Sequence, residues 1–163
     1  MGELLHGLAP LTGAAPRTLI LGNMPSVMSL ASAQYYGNPR NAFWPITAEI
    51  FGFDAAAPYD RRVAALTGHG VAVWDVLRCC RRTGSLDAAV ERDSMVPNDF
   101  GAFVRDHPRI GLVVFNGAAA ETNYRRLVRS APMIPSLRLP STSPAHTMRF
   151  ADKLTLWRAA LTR

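Results

Sequence analysis

The chain has 163 residues, 48% of them hydrophobic, which favours one folded domain over residues 1–163 and excludes a disordered chain. No run of about twenty apolar residues occurs, so neither a membrane-spanning helix nor a membrane partner is expected. Eighteen basic against 12 acidic side chains leave a formal net charge of +6, a balance that attracts polyanions, nucleic acid first among them.

In chain order, Met1 to His6 lacks the basic segment and apolar run of a secretory signal. Arg17-Thr18-Leu19-Ile20-Leu21-Gly22 reads as a short buried strand ending in glycine, and residues 23–42 as a long polar and aromatic loop, a length that usually serves a function. Phe43 to Phe51 and Tyr59 to Thr67 read as helices, and Gly70 to Trp74 as a second buried strand. Residues 75–84 then read as a loop. They contain the adjacent Cys79 and Cys80, which as sequence neighbours are poorly placed for a disulfide, so a reducing, cytoplasmic setting is expected. Asp99 to Asp106 reads as a helix started by Asn98 or Asp99, Ile110 to Phe115 as the third strand and Ala118 to Arg129 as a helix. Ser136 to Leu139 reads as a fourth strand, residues 140–147 as a loop and Arg149 to Leu161 as the last helix.

Strands that are continuous apolar runs and alternate with helices indicate a parallel sheet covered on both faces. Ligands bind such sheets outside the carboxyl ends of the strands. The loops at 23–42, 75–84, 116–117 and 140–147 all lie there, so four loops converge on one site.

The residues of those loops each have a plain structural reading beside a functional one. Gly22-Asn23-Met24-Pro25-Ser26 matches neither a phosphate loop nor a dinucleotide fingerprint; it either ends a strand or brings backbone N–H groups to a ligand. Tyr35 and Tyr36 offer faces for a base or for the core. Arg40 is available to a phosphate. Asn41 can orient a water or a base edge, or can cap the helix that begins near Phe43. Asn116 can read a base edge or cap the helix after it. Ser141-Thr142-Ser143-Pro144-Ala145-His146 is a hydroxyl-rich turn suited to phosphate. Asp75 ends the second strand as a capping carboxylate, and Asp87 and Glu91 stand about a helical turn apart without marking an acid/base pair. No HExxH, CxxC or clustered His/Asp set suggests a metal, two cysteines fall short of an iron–sulfur cluster, and no GxSxG elbow announces a nucleophile. No metal or cofactor is expected.

Taken together, LGNMPS (21–26), SLASAQYYGNPRNAFWPI (29–46), WDVLRCCRRTGSLD (74–87), PNDF (97–100), FNG (115–117) and LPSTSPAH (139–146) resemble the uracil-DNA glycosylase superfamily, nearest its deoxyinosine (hypoxanthine-DNA) branch. The resemblance implies a three-layer α/β/α sandwich with a four-stranded, mainly parallel central sheet. It also implies a monofunctional DNA N-glycosylase for hypoxanthine, with uracil a further substrate. A uracil-specific enzyme and a non-catalytic damaged-DNA binding module are the alternatives. On this resemblance Asn41 is catalytic. Gly22, Asn23, Met24, Pro25, Tyr36, Phe43 and Asn116 bind the base. Arg40, Ser141, Thr142, Ser143, Pro144 and His146 contact the DNA, single- or double-stranded, and the protein is expected to act as a monomer. No lysine lies in these motifs, so no Schiff-base lyase step is expected. Two positions depart from the family pattern: Ser26 replaces a glycine, and Asn38 replaces a histidine.

Overall fold

The computed structural model describes residues 2–163. In chain order the elements are β1 (Glu3–His6), β2 (Thr18–Gly22), α1 (Val27–Ser32), α2 (Phe43–Phe51), α3 (Tyr59–Gly68), β3 (Val71–Asp75), β4 (Leu77–Arg82), β5 (Val96–Pro97), α4 (Phe100–Asp106), β6 (Leu112–Asn116), α5 (Ala118–Leu127), β7 (Ser136–Leu139) and α6 (Phe150–Leu161). The central sheet runs β3-β2-β6-β7 with every neighbouring pair parallel. This is the expected four-stranded sheet flanked by helices.

The layers follow from the strand period of two. On β2, Leu19 and Leu21 face a cluster with Phe100 and Phe103 of α4 and Ala120 of α5. Ile20 between them faces the opposite cluster, with Phe43 and Ile46 of α2, Leu66 of α3 and Trp157 of α6. Both faces being covered, the strand needs no polar side, and each large apolar side chain so buried contributes about 1.5–3 kcal/mol.

The elements begin and end for local reasons. Asp99 caps α4 by accepting from the Ala102 amide at 3.0 Å. Gly52, at φ 75°, ends α2 in the left-handed conformation that a side chain would resist.

Three expectations need correction. The segment 23–42 is not all loop: α1 occupies Val27–Ser32, started by the Ser26 side chain, which accepts from the Ser29 amide at 3.1 Å. Six residues are too few to show an amphipathic period. Nor are residues 75–84 a loop, because β4 pairs antiparallel with β1 and with β5 in a second, three-stranded sheet. Its alternation is hidden because the inward position at the end of β4 is a charged residue, Arg82. Finally, Asp87 and Glu91 share no helix face. Asp87 opens a short 3-10 turn, Asp87–Ala89, and meets Asn23, whereas Glu91 accepts from the Gly2 amide.

Candidate active site

Parallel pairing in register sets the strand ends side by side. Gly22 of β2 lies opposite Asp75 of β3, and Asn116 of β6 opposite Leu139 of β7. Above this edge opens a cavity of about 530 Å³, within the size range of small-molecule sites. Gly22, Asn23, Met24, Pro25, Tyr36, Asn41, Asn116, Ser141, Thr142, Ser143, Pro144 and His146 all line it.

The turn after β2 is anchored from behind. The Asn23 side chain donates to Asp87 Oδ1 at 3.1 Å and accepts from Asn123 Nδ2 at 2.8 Å. Arg82 Nη2 donates to the Pro25 carbonyl at 2.6 Å. The buried Asn23 amide helps hold the turn, and the turn lines the cavity with Asn23, Met24 and its backbone.

Tyr36 sits at φ 54°, a left-handed conformation rare for a residue with a side chain. Its ring stacks on Phe43 with centroids 4.0 Å apart and planes 22° from parallel, and its hydroxyl accepts from Asn116 Nδ2 at 3.1 Å. Phe43 is fully buried and does not line the cavity. The expectation that it stacks on a base is corrected: it backs Tyr36, because the first turn of α2 points it into the core.

Asn41 stands in the partition between the main cavity and a second one of about 320 Å³. Its Oδ1 accepts from the Phe43 amide at 2.9 Å. Asn41 does not cap α2, whose N-cap is Ala42 with no side-chain cap bond; its bond from the Phe43 amide, two residues on, instead fixes the Asn41 amide in the cavity wall.

Asn116 does not cap α5, whose N-cap is Gly117. It joins two loops instead. Nδ2 donates to Thr142 Oγ1 at 2.9 Å as well as to Tyr36, and Oδ1 accepts from the Thr142 amide at 2.9 Å. Thr142 is only 1% exposed and its carbonyl accepts from the Ala42 amide at 2.9 Å. Its expected contact with DNA is corrected accordingly: both its polar ends are engaged inside the protein. Ser141, Ser143, Pro144 and His146 form the outer part of this loop. Lys153 of α6, 3% exposed, clamps it from beneath by donating to the Ser143 carbonyl at 3.2 Å and the His146 carbonyl at 2.7 Å. Arg40 is exposed and does not line the cavity.

Two carboxyls meet at the floor. Burial, then the charge of Asp87, push the Asp75 carboxyl up to about 7, against the pull of Arg82. Burial also raises Asp87, opposed by its bond from Asn23 and by Arg82, and raises the Tyr36 hydroxyl above its ordinary value. From sequence Asp75 reads as a capping carboxylate, and no cap bond involves it. Its place at the carboxyl end of β3, beside the end of β2, is the available signal of a place in the cavity.

A match to the uracil DNA glycosylase superfamily runs over residues 9–162. The chain belongs to that superfamily. It is similar to a hypoxanthine DNA glycosylase of Methanosarcina acetivorans, 32% identical over 142 residues, covering 86% of this chain and 87% of the relative. A hypoxanthine DNA glycosylase of Methanosarcina barkeri is 29% identical over 159 residues, covering 97% and 98%. Among solved structures, a solution NMR structure from M. acetivorans described as a candidate uracil DNA glycosylase superposes with a TM-score of 0.80 at 27% identity, covering 98% of this chain and 97% of that one.

The two departures from the glycosylase pattern have local uses in this member. Ser26 starts α1, and Ser29 of that helix accepts from the Gly37 amide at 2.9 Å, tying the turn after β2 to the segment that carries Asn41. Asn38 Oδ1 accepts from the Arg40 amide at 2.9 Å and its carbonyl from the Asn41 amide at 2.9 Å, so it shapes the turn that presents Asn41.

Proposed function

We propose that this chain excises deaminated bases from DNA, hypoxanthine first and uracil second, by hydrolysing the bond between base and sugar. The observation that carries the reading is the meeting of Tyr36, Asn41 and Asn116 in one cavity beside the 140–147 loop. The names borne by the two Methanosarcina relatives support it.

A base inside a duplex is out of reach, so the nucleotide must rotate out at a cost of a few kcal/mol, least where the base is mispaired. Arg40 and the outer part of the 140–147 loop hold the flanking phosphates. The extruded base lies on Tyr36, held from behind by Phe43. Asn116 has given both amide hydrogens to Tyr36 and Thr142, which leaves one lone pair on Oδ1. That lone pair accepts the ring N–H that hypoxanthine and uracil carry. Adenine and cytosine present a bare ring nitrogen there, and two acceptors face each other. This narrows the expectation that Asn116 reads a base edge to a single accepted hydrogen bond.

As the bond breaks, positive charge grows on the sugar and negative charge on the base. Backbone N–H groups of residues 22–26 stabilise the second. Asn41 orients the water that adds to the sugar. An amide is a poor base, so its part is positioning rather than proton removal.

The test is incubation with duplexes containing hypoxanthine or uracil, followed by alkaline cleavage of abasic sites. Hypoxanthine strands should be cut faster than uracil strands. If neither is cut at high enzyme concentration, the reading fails, and tight binding without cleavage marks a damage-binding module instead.

A further inference from the structure

We propose that Asp75 is the general acid of this reaction, passing a proton to a ring nitrogen of the departing purine as its bond to the sugar breaks. The inference rests on the glycosylase reading above.

Asp75 ends β3 directly opposite Gly22 and lines the floor of the cavity, 4% exposed. Its Oδ2 is sealed from solvent with no hydrogen-bond partner. Room for the other oxygen exists because residue 22 is glycine: a Cβ there would collide with Asp75 Oδ1 and come within 3.2 Å of the Tyr36 hydroxyl. The titratable groups facing it are Tyr35 and Tyr36 from the loop after α1, Arg82 from β4 and Asp87 from the turn after β4. Among the described residues none forms an ion pair with it. A carboxyl buried without a partner is tolerated chiefly as the neutral acid, which has one proton to give. Its pKa of about 7 suits transfer near neutral pH.

The other cavity groups fit the task less well. Tyr36 holds its proton more tightly than a free phenol. Asp87 is engaged by Asn23, His146 lies on the exposed loop, and Asn41 has no proton to release.

The step balances. The sugar–base bond breaks with its electron pair going to the base, and the Asp75 proton moves to the base, which leaves neutral. Water adds to the sugar carbon, and the proton it sheds restores the acid.

The test measures single-turnover excision of hypoxanthine against pH, together with binding to duplex carrying a non-cleavable 2′-fluoro analogue. Wild-type rates should fall as pH rises through about 7. Asp75→Asn, which keeps the shape and loses the acid, should bind the analogue as well as wild type. Its rate should be on the order of 100-fold lower, and that descent should be absent. Asp87→Asn removes the neighbouring charge and should move the descent to lower pH. An Asp75→Asn enzyme that keeps the wild-type rate, keeps the descent or loses analogue binding overturns the proposal, as does an unmoved descent in Asp87→Asn. Failure of the wild-type protein to cut either base would instead overturn the glycosylase reading itself.

Discussion

Asn41 combines a structural bond with the water-positioning role proposed for it. Its oxygen holds the Phe43 amide at 2.9 Å, which fixes the amide group in the cavity wall without using its nitrogen. Asn41→Ala should therefore lower hypoxanthine excision by roughly 100-fold or more while leaving DNA affinity within a few-fold, since the phosphate contacts lie elsewhere. Single-turnover rates and a binding titration check both halves. Loss of the bond from the Phe43 amide should cost about 1 kcal/mol of stability, read from denaturant midpoints.

At Asp75 the direction is reversed, and the enzyme gives up stability to keep the group. Its carboxyl has a pKa of about 7 in the fold against 3.8 in an unfolded chain, so between those values the native state binds the proton and the unfolded state does not. Stability is therefore lost as pH rises from about 4, and the loss is complete above about 7. Asp75→Asn should be more stable than wild type at about pH 8, with the difference shrinking towards about pH 4. A pH series of denaturant unfolding checks the sign.

At the scale of elements, the clamp between α6 and the 140–147 loop makes a separable prediction. Lys153→Met keeps much of the buried length but leaves the Ser143 and His146 carbonyls without their donor. DNA affinity should weaken by roughly ten-fold with a smaller change in the single-turnover rate, if the loop holds phosphate as proposed rather than the reacting bond. Lys153 is unreadable in sequence because its partners are main-chain carbonyls, which any residue supplies. The same holds for Arg82 on the Pro25 carbonyl. By contrast, β2, β3 and β6 are legible, since burial on both faces writes them as nearly unbroken apolar runs, whereas β7 at the sheet edge keeps Ser136 and Arg138 exposed. Their carboxyl edge places the site, and the matched motifs supply its residues. What stays hidden is structure made by polar or short segments: α1, started by one serine, and β4, whose inward position is an arginine. Thr142 and Phe43 mislead for a related reason. A loop hydroxyl and an aromatic beside Tyr36 look available until the packing behind them is known.

In the whole molecule two sheets divide the labour. The parallel sheet carries the cavity, and the smaller sheet braces the turn after β2 through Arg82. The superfamily match begins at residue 9, beyond β1 at Glu3–His6. β1 pairs with β4 from Glu3 opposite Arg82 to His6 opposite Cys79, and the Leu8 carbonyl accepts from Trp74 Nε1 at 3.1 Å and the Tyr35 hydroxyl at 3.2 Å. A fragment trimmed to the recognisable family span would hold every motif residue yet expose one whole edge of β4. Its melting temperature should fall by roughly 5 °C or more, and its excision rate should fall with it, since Arg82 would lose its strand pairing with Glu3 and keep only the bridge to Val90. Restoring the first eight residues as a fused segment of unrelated sequence should not rescue it; restoring them as the native strand should. The boundary of the family match and the boundary drawn by mechanical support thus differ by one short strand, and trimming this protein to residues 9–162 would remove a part that the match does not include.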